Sequence, residues 1–258
     1  METTRSADGT SIAFDREGEG PALVLVVGAF CDRATSETLA TLLAPQFTVF
    51  RYDRRGRGSS GDTAPYGVER EIEDLQAVAA AAGGPAFVFG HSSGAALALE
   101  AVIAGLPATR LVAYEPPYIV EGTRIRPAGL AERVSQLLGA DEPSQAAELF
   151  LLEGPETPAE VVTMMKGAPL WSRFEALAHT LPYDLAILGD QHIPAEQLAT
   201  LDVPTLVLSG AESPRWARDA VEAVAAAVPN SQHLVLEGQT HNAADDALAP
   251  VLTSFFLG

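Results

Sequence analysis

Residues 87–96 read FVFGHSSGAA: an apolar run that stops at Gly90, then His91-Ser92-Ser93-Gly94, then alanines and leucines. Two hydroxyls and an imidazole between two glycines, where a strand gives way to a helix, have two readings. One is a tight turn with polar filler. The other is a G-x-S-x-G nucleophile elbow, whose sharp turn lifts the serine hydroxyl clear of the backbone and needs small flanking residues to close. The pentapeptide alone is a weak signal, because glycine and serine are common. Its context is stronger, since AFVF precedes it and SGAALALEAVIA follows at once. Ser92 is therefore read as a nucleophile, with the Ser93 amide at the helix start facing a developing oxyanion.

Outward from the elbow, strand-like and helix-like stretches alternate. Ala22–Val27 (ALVLVV) is continuously apolar, as a central strand covered on both faces should be. Ser11–Asp15, Phe47–Tyr52, Ala86–Phe89, Arg110–Tyr114, Thr205–Ser209 and His233–Leu236 also read as strands. Helical patterns cover Ser36–Leu43, Val68–Ala82, Ser93–Ala104, Pro214–Val228 and Ala244–Phe256. This order predicts an α/β fold, a mostly parallel central sheet flanked by helices. The alternation lapses from about Pro117 to Leu201, where Leu130–Leu138, Ser144–Leu152, Pro158–Met165 and Phe174–Leu181 are helical in pattern. The expected organisation is a core of residues 1–117 and 202–258 with a helical cap at 118–201.

Composition narrows the function. At 258 residues and 47% hydrophobic, the chain suits one large domain with an insertion, or two small ones. A formal net charge of −18 argues against nucleic acid, whose phosphates demand clustered cations; lysine occurs once, Lys166, and the arginines read as scattered. Cys31 is the single cysteine, so a disulfide framework is not expected and a reducing cytoplasm fits. METTRSADGT lacks the pattern of a signal peptide, and no uncharged apolar run reaches the roughly 18 residues of a membrane span. A small-molecule substrate is expected, without a nucleic-acid or membrane partner; a homodimer is left open.

A serine nucleophile needs a base. His241, in the loop after the last strand and before the last helix, lies where α/β sheets place their chemistry. His91 sits inside the elbow, His179 and His192 in the insertion, and His233 at a strand start. The second oxyanion donor should come from the loop after the third strand, which makes the Ala29 amide the candidate. Gly56-x-Gly58-x-x-Gly61 is a literal G-x-G-x-x-G, but turn residues follow it rather than a helix, so it reads as a glycine-rich turn and not a dinucleotide site.

With GHSSG, YDRRGRGSSG, VPTLVLSG, GQTH and the helical insertion, nearly the whole chain resembles the α/β-hydrolase superfamily. The resemblance implies an acylated elbow serine, the late histidine as base and no cofactor. It breaks at the acid. The turn after VPTLVLSG reads Gly210-Ala211-Glu212-Ser213, with Ser213 where that family usually has aspartate. Glu115, closing the strand RLVAY before Pro116-Pro117, is the first candidate, and haloalkane dehalogenases of the superfamily include members with a Glu at this strand end. The prolines are expected to hold the chain extended there. Glu212 is the alternative. The reading is an esterase-like hydrolase with a Ser-His-Glu triad. Its rivals are a cofactor-free lyase, cyclase or peroxidase-like enzyme, and a binding protein with an inert triad. Trp171, Phe174 and Tyr183 are the large cap side chains expected to roof the pocket.

Overall fold

The computed structural model describes residues 1–125 and 127–258. Its strands are β1 (Glu2–Arg5), β2 (Ser11–Glu17), β3 (Ala22–Val26), β4 (Thr48–Tyr52), β5 (Ala86–His91), β6 (Ala108–Tyr114), β7 (Thr205–Gly210) and β8 (Ser231–Leu236). The core helices are α1 (Glu37–Leu43), α2 (Val68–Ala81) and α3 (Ser93–Ile103). The insertion carries α4 (Leu130–Gly139), α5 (Pro143–Glu153), α6 (Ala159–Lys166), α7 (Leu170–Leu177), α8 (Leu181–Leu188) and α9 (Ala195–Leu198). Then follow α10 (Arg215–Ala227) and α11 (Asp245–Leu257). The sheet order is β1-β2-β4-β3-β5-β6-β7-β8, antiparallel at β1–β2 and β2–β4 and parallel from β4 to β8.

Successive side chains of a strand point to opposite faces, and this divides the core in two. Val24, Val26, Val88, Leu111, Ala113 and Val207 meet Leu75 and Val78 of α2, the alanines and leucines of α3, and Val221 and Val224 of α10. Leu23, Leu25, Phe87, Phe89, Val112, Leu206 and Leu208 meet Leu39 and Leu43 of α1 and Leu252 and Phe256 of α11. Both faces are covered, which is why these strands read as unbroken apolar runs. A third cluster joins Leu130, Val134, Ala147, Leu151, Val162, Trp171 and Leu181 of the insertion with Phe30 from the loop after β3. Ile187 and Leu188 of α8 and Leu198 of α9 pack instead into the α3 face of the sheet core.

Three local features differ from the pattern-based expectation. β1, whose sequence ETTR has no apolar alternation, is a strand only because it pairs with β2 (Glu2↔Phe14 to Arg5↔Ser11). The helical pattern across Phe174–Leu181 is broken: α7 ends at Leu177, a tight turn of helix spans Ala178–Thr180, and α8 restarts at Leu181 with Pro182 in its first turn. And Glu115, expected to be extended before its prolines, has φ 46°. Among the described residues no helix is long and apolar enough to cross a membrane.

Candidate active site

The candidate residues lie at the carboxyl ends of five neighbouring strands, β3, β5, β6, β7 and β8. The β5–β6 ladder runs Gly90↔Ala113 and His91↔Tyr114, and one step further the Ser92 amide donates to the Tyr114 carbonyl at 2.9 Å. The Glu115 amide continues the β6–β7 ladder to Leu208 O at 3.0 Å. Ser92 and Glu115 thus leave the sheet side by side. Ser92 has φ 57°, ψ −127° at the start of α3, a strained turn for a residue with a side chain. The turn closes because of glycine: a Cβ on Gly94 would collide with the carbonyls of Val26 and Val27. A Cβ on Gly28 would lie 2.9 Å from Ser92 Cβ, so the loop carrying Ala29 runs directly against the elbow.

Glu115 is 1% exposed, and both carboxylate oxygens are engaged. Oε1 accepts from the Gly210 amide at 2.8 Å, and Oε2 lies 2.7 Å from His241 Nδ1. Burial pushes the Glu115 pKa up; the hydrogen bond and field of His241, with Ser213 and the Gly210 amide, outweigh it and hold the carboxyl below its usual range. These contacts, together with the hydrogen bond from the Glu115 N–H to Leu208 O, over-determine the left-handed backbone of Glu115, and this is why it departs from the extended form. Ser213 is buried beside the same carboxylate, whereas Glu212 is exposed, its amide donating to Gln239 O.

The loop bearing His241 is clamped from below. Tyr114 Oη donates to Thr240 O at 2.6 Å, and His91 Nε2 lies 2.8 Å from His241 O. A carbonyl can only accept, so His91 carries its proton on Nε2. Burial first, and the nearby His241 second, push His91 down to about 4, so it stays neutral while making that bond. The two rings are 4.8 Å apart, which sets the His241 ring above the residue preceding Ser92. The His241 side chain is 34% exposed. Asp245 and Asp246 occupy the first turn of α11, the end favourable to negative charge.

Of the large side chains between β6 and β7, Phe174 stacks on Phe30 at 4.4 Å between ring centroids, next to Ala29. Trp171 is buried in the third cluster with Nε1 donating to Ser144 Oγ at 2.8 Å. Tyr183 stacks on Tyr66 at 3.8 Å and donates to Asp62, on the side of the glycine-rich turn. A surface depression of about 460 Å3, lined by Arg110, His233, Pro250 and Phe255, lies at the amino ends of β6 and β8, opposite the strand ends that carry Ser92 and Glu115.

The arginines that read as scattered are not scattered in space. Arg54, Arg55 and Arg57 of the glycine-rich turn are wholly buried. Arg55 pairs with Asp74 and Asp8. Arg54 forks onto Glu71 (Nε–Oε2 2.7 Å, Nη2–Oε1 2.9 Å) and reaches Asp184 Oδ1 at 2.8 Å. Arg57 Nη2 holds both oxygens of Asp184, at 2.9 and 2.8 Å. Asp184 also accepts from Ser93 Oγ at 2.6 Å. Burial raises the Asp184 pKa, but the two guanidiniums and the Ser93 hydroxyl outweigh it and keep the carboxylate ionised. The only signal in the sequence was the density of arginine in YDRRGRG, and nothing there points to a partner at position 184.

A model of the alpha/beta hydrolase family matches residues 23–252. N-formylmaleamate deformylase of Pseudomonas putida is 38% identical over 117 residues, and that match covers only 44% of this chain and 44% of the deformylase. Pimeloyl-(acyl-carrier protein) methyl ester esterase of Photobacterium profundum is 31% identical over 212 residues, 78% of this chain and 80% of the esterase. The crystal structure of an alpha/beta hydrolase from Sphaerobacter thermophilus superposes with a TM-score of 0.96 and 52% identity, over 99% of this chain and 100% of that one.

Proposed function

The chain belongs to the alpha/beta hydrolase family and is a hydrolase of that fold, and from that footing we propose that it is a serine hydrolase cleaving a small or medium ester or related acyl substrate. Ser92 attacks the substrate carbonyl while His241 Nε2 takes its proton. The amides of Ala29 and Ser93 bind the oxyanion, at about 3–4 kcal/mol of transition-state stabilisation per donor in comparable sites. Collapse expels the alcohol, which leaves with the proton from His241. Water then attacks the acyl-serine, giving its proton to His241, and Ser92 is restored as the acid departs. Glu115 keeps the His241 proton on Nδ1 and stabilises the imidazolium.

The carrying observation is the 2.7 Å contact of His241 Nδ1 with a buried carboxylate one strand from an elbow serine at φ 57°. It leaves Nε2 as the ring nitrogen without the proton, the form in which a general base can accept one. The names of the relatives, a deformylase and a methyl ester esterase, support a carbonyl at the reacting centre. The cap, with Phe174 over Phe30 near Ala29, supports an apolar acyl group.

The test is covalent. A fluorophosphonate should label wild type at Ser92, and Ser92→Ala should lose both labelling and hydrolysis of p-nitrophenyl esters of graded chain length. Absence of labelling would favour a binding protein with an inert triad. Labelling without hydrolysis of any ester would favour a non-hydrolytic enzyme.

A further inference from the structure

Asp184 lies in the cap, yet its carboxylate sits beneath the elbow. The charges around it balance: Glu71 and Asp184 against Arg54 and Arg57. Glu71 alone forks onto Arg54, leaving Asp184 as the carboxylate that neutralises Arg57. What Arg57 does with its other nitrogen matters more. Nη1 donates to Gly28 O at 2.5 Å and to Cys31 O at 3.2 Å, the carbonyls that bracket Ala29 and Phe30. Arg54 Nη1 similarly reaches Val27 O at 3.2 Å.

The Gly28 carbonyl and the Ala29 amide belong to one peptide unit. That unit is planar and trans, so holding its oxygen fixes the opposite direction for its N–H. A cation on the carbonyl also polarises the unit and makes the N–H a better donor. We propose that Asp184 is a positioning residue for the oxyanion site: through Arg57 it aims the Ala29 amide, and through the Ser93 hydroxyl it seats the residue whose amide is the second donor. The cap therefore does more than roof the site; one buried carboxylate ties its α8 to both walls of the oxyanion cradle. This inference rests on the serine hydrolase reading above.

Asp184→Asn strands a buried cation on Arg57 and risks unfolding, so the decisive variant is the neutral pair Asp184→Leu with Arg57→Met. Replacing a buried ion pair by apolar residues of similar volume is often neutral for stability, while Gly28 O and Cys31 O lose their donor. Ser93→Ala, which breaks only the hydroxyl link and leaves all charges paired, is the milder companion. The readouts are kcat, KM, the pH profile of kcat, and affinity for a trifluoromethyl ketone, whose adduct with Ser92 bears an oxyanion.

The expected result is a double variant that folds cooperatively, with kcat down 30- to 300-fold, KM within threefold, and trifluoromethyl ketone affinity reduced by a similar factor to kcat. The pH profile of kcat should keep its wild-type shape, because the general base is untouched. Ser93→Ala should show the same pattern at about tenfold. A double variant with wild-type kcat and ketone affinity overturns the proposal. So does a loss confined to KM, and if the double variant fails to fold, a wild-type kcat in Ser93→Ala is likewise decisive against it. A wild type that neither labels at Ser92 nor hydrolyses an ester overturns the hydrolase reading and this proposal together.

Discussion

Replacing Glu115 by glutamine exchanges one oxygen for an NH2 group and tests the whole proton path. The site offers the new side chain two orientations, and neither restores the original. Oε1 of Glu115 accepts from the Gly210 amide at 2.8 Å and Oε2 lies 2.7 Å from His241 Nδ1. If the amide oxygen of glutamine keeps the Gly210 bond, its NH2 group faces Nδ1, which must then be bare. The proton moves to Nε2, and His241 can no longer take one from Ser92. If the side chain flips, its NH2 group meets the Gly210 N–H in a site 1% exposed, an unmade buried hydrogen bond costing about 1–3 kcal/mol. Either way the imidazolium loses a carboxylate in hydrogen-bond contact. A comparable carboxylate-to-amide change in a serine protease triad costs about 10⁴ in kcat, so a loss of about 10³–10⁴, or about 4–5.5 kcal/mol of transition-state stabilisation, is expected here. KM should stay within threefold and the thermal transition within a few degrees. The assay is steady-state hydrolysis of a p-nitrophenyl ester, with thermal melts as the folding control. Glu212→Gln, altering an exposed side chain, should leave kcat within twofold. An E115Q enzyme retaining more than a tenth of wild-type kcat would refute the reasoning, as would an equal loss in E212Q.

Two further outcomes follow from the same geometry. Gly28→Ala puts a methyl 2.9 Å from Ser92 Cβ and 3.5 Å from its Oγ on a backbone whose φ needs no glycine; fluorophosphonate labelling should slow by at least about 100-fold with a small change in melting temperature, measured by timed labelling and calorimetry. His91, neutral in the fold at about 4 against about 6.5 unfolded, binds its proton more tightly in the unfolded chain. Its contribution is therefore intact above pH 6.5 and is lost as pH falls from 6.5 to 4, by up to about 3 kcal/mol. Urea midpoints across that range should fall less steeply in His91→Asn than in wild type, and parallel slopes would remove His91 from the account.

The geometry also explains the tolerance of strain at the site. Ser92 and Glu115 are both non-glycine residues at positive φ, on adjacent strand ends. Each is held by the neighbouring ladder, Ser92 through Tyr114 O and Glu115 through Leu208 O, before any side-chain bond is counted. The parallel sheet thus supplies the rigidity that lets two unfavourable backbones present their side chains upward. The His241 loop is tied to the same strand ends: the Glu212 amide donates to Gln239 O, and Tyr114 and His91 bind the consecutive carbonyls of Thr240 and His241.

Much of this was legible from the chain alone. Apolar runs such as ALVLVV announce strands covered on both faces, because burial leaves no solvent side to carry polar residues. The elbow is legible because Gly90 is demanded by the backbone of Gly94 and Ala95 a few residues on, and a carboxylate ending an apolar strand stands out from its immediate neighbours. What the sequence could not resolve depends on encounters between distant residues. Glu115 and Glu212 were both candidates for His241 until the fold buried one and exposed the other. β1 exists only through its partner strand. The arginines of YDRRGRGSSG read as scattered; in the fold Asp8 and Asp74 meet Arg55, Glu71 meets Arg54, and Arg57 is neutralised by Asp184, 127 residues beyond it. Periodicity and turn chemistry are short-range properties and survive in a string of letters. The pairing of buried charges is a long-range one, and only the closed chain decides which carboxylate meets which cation.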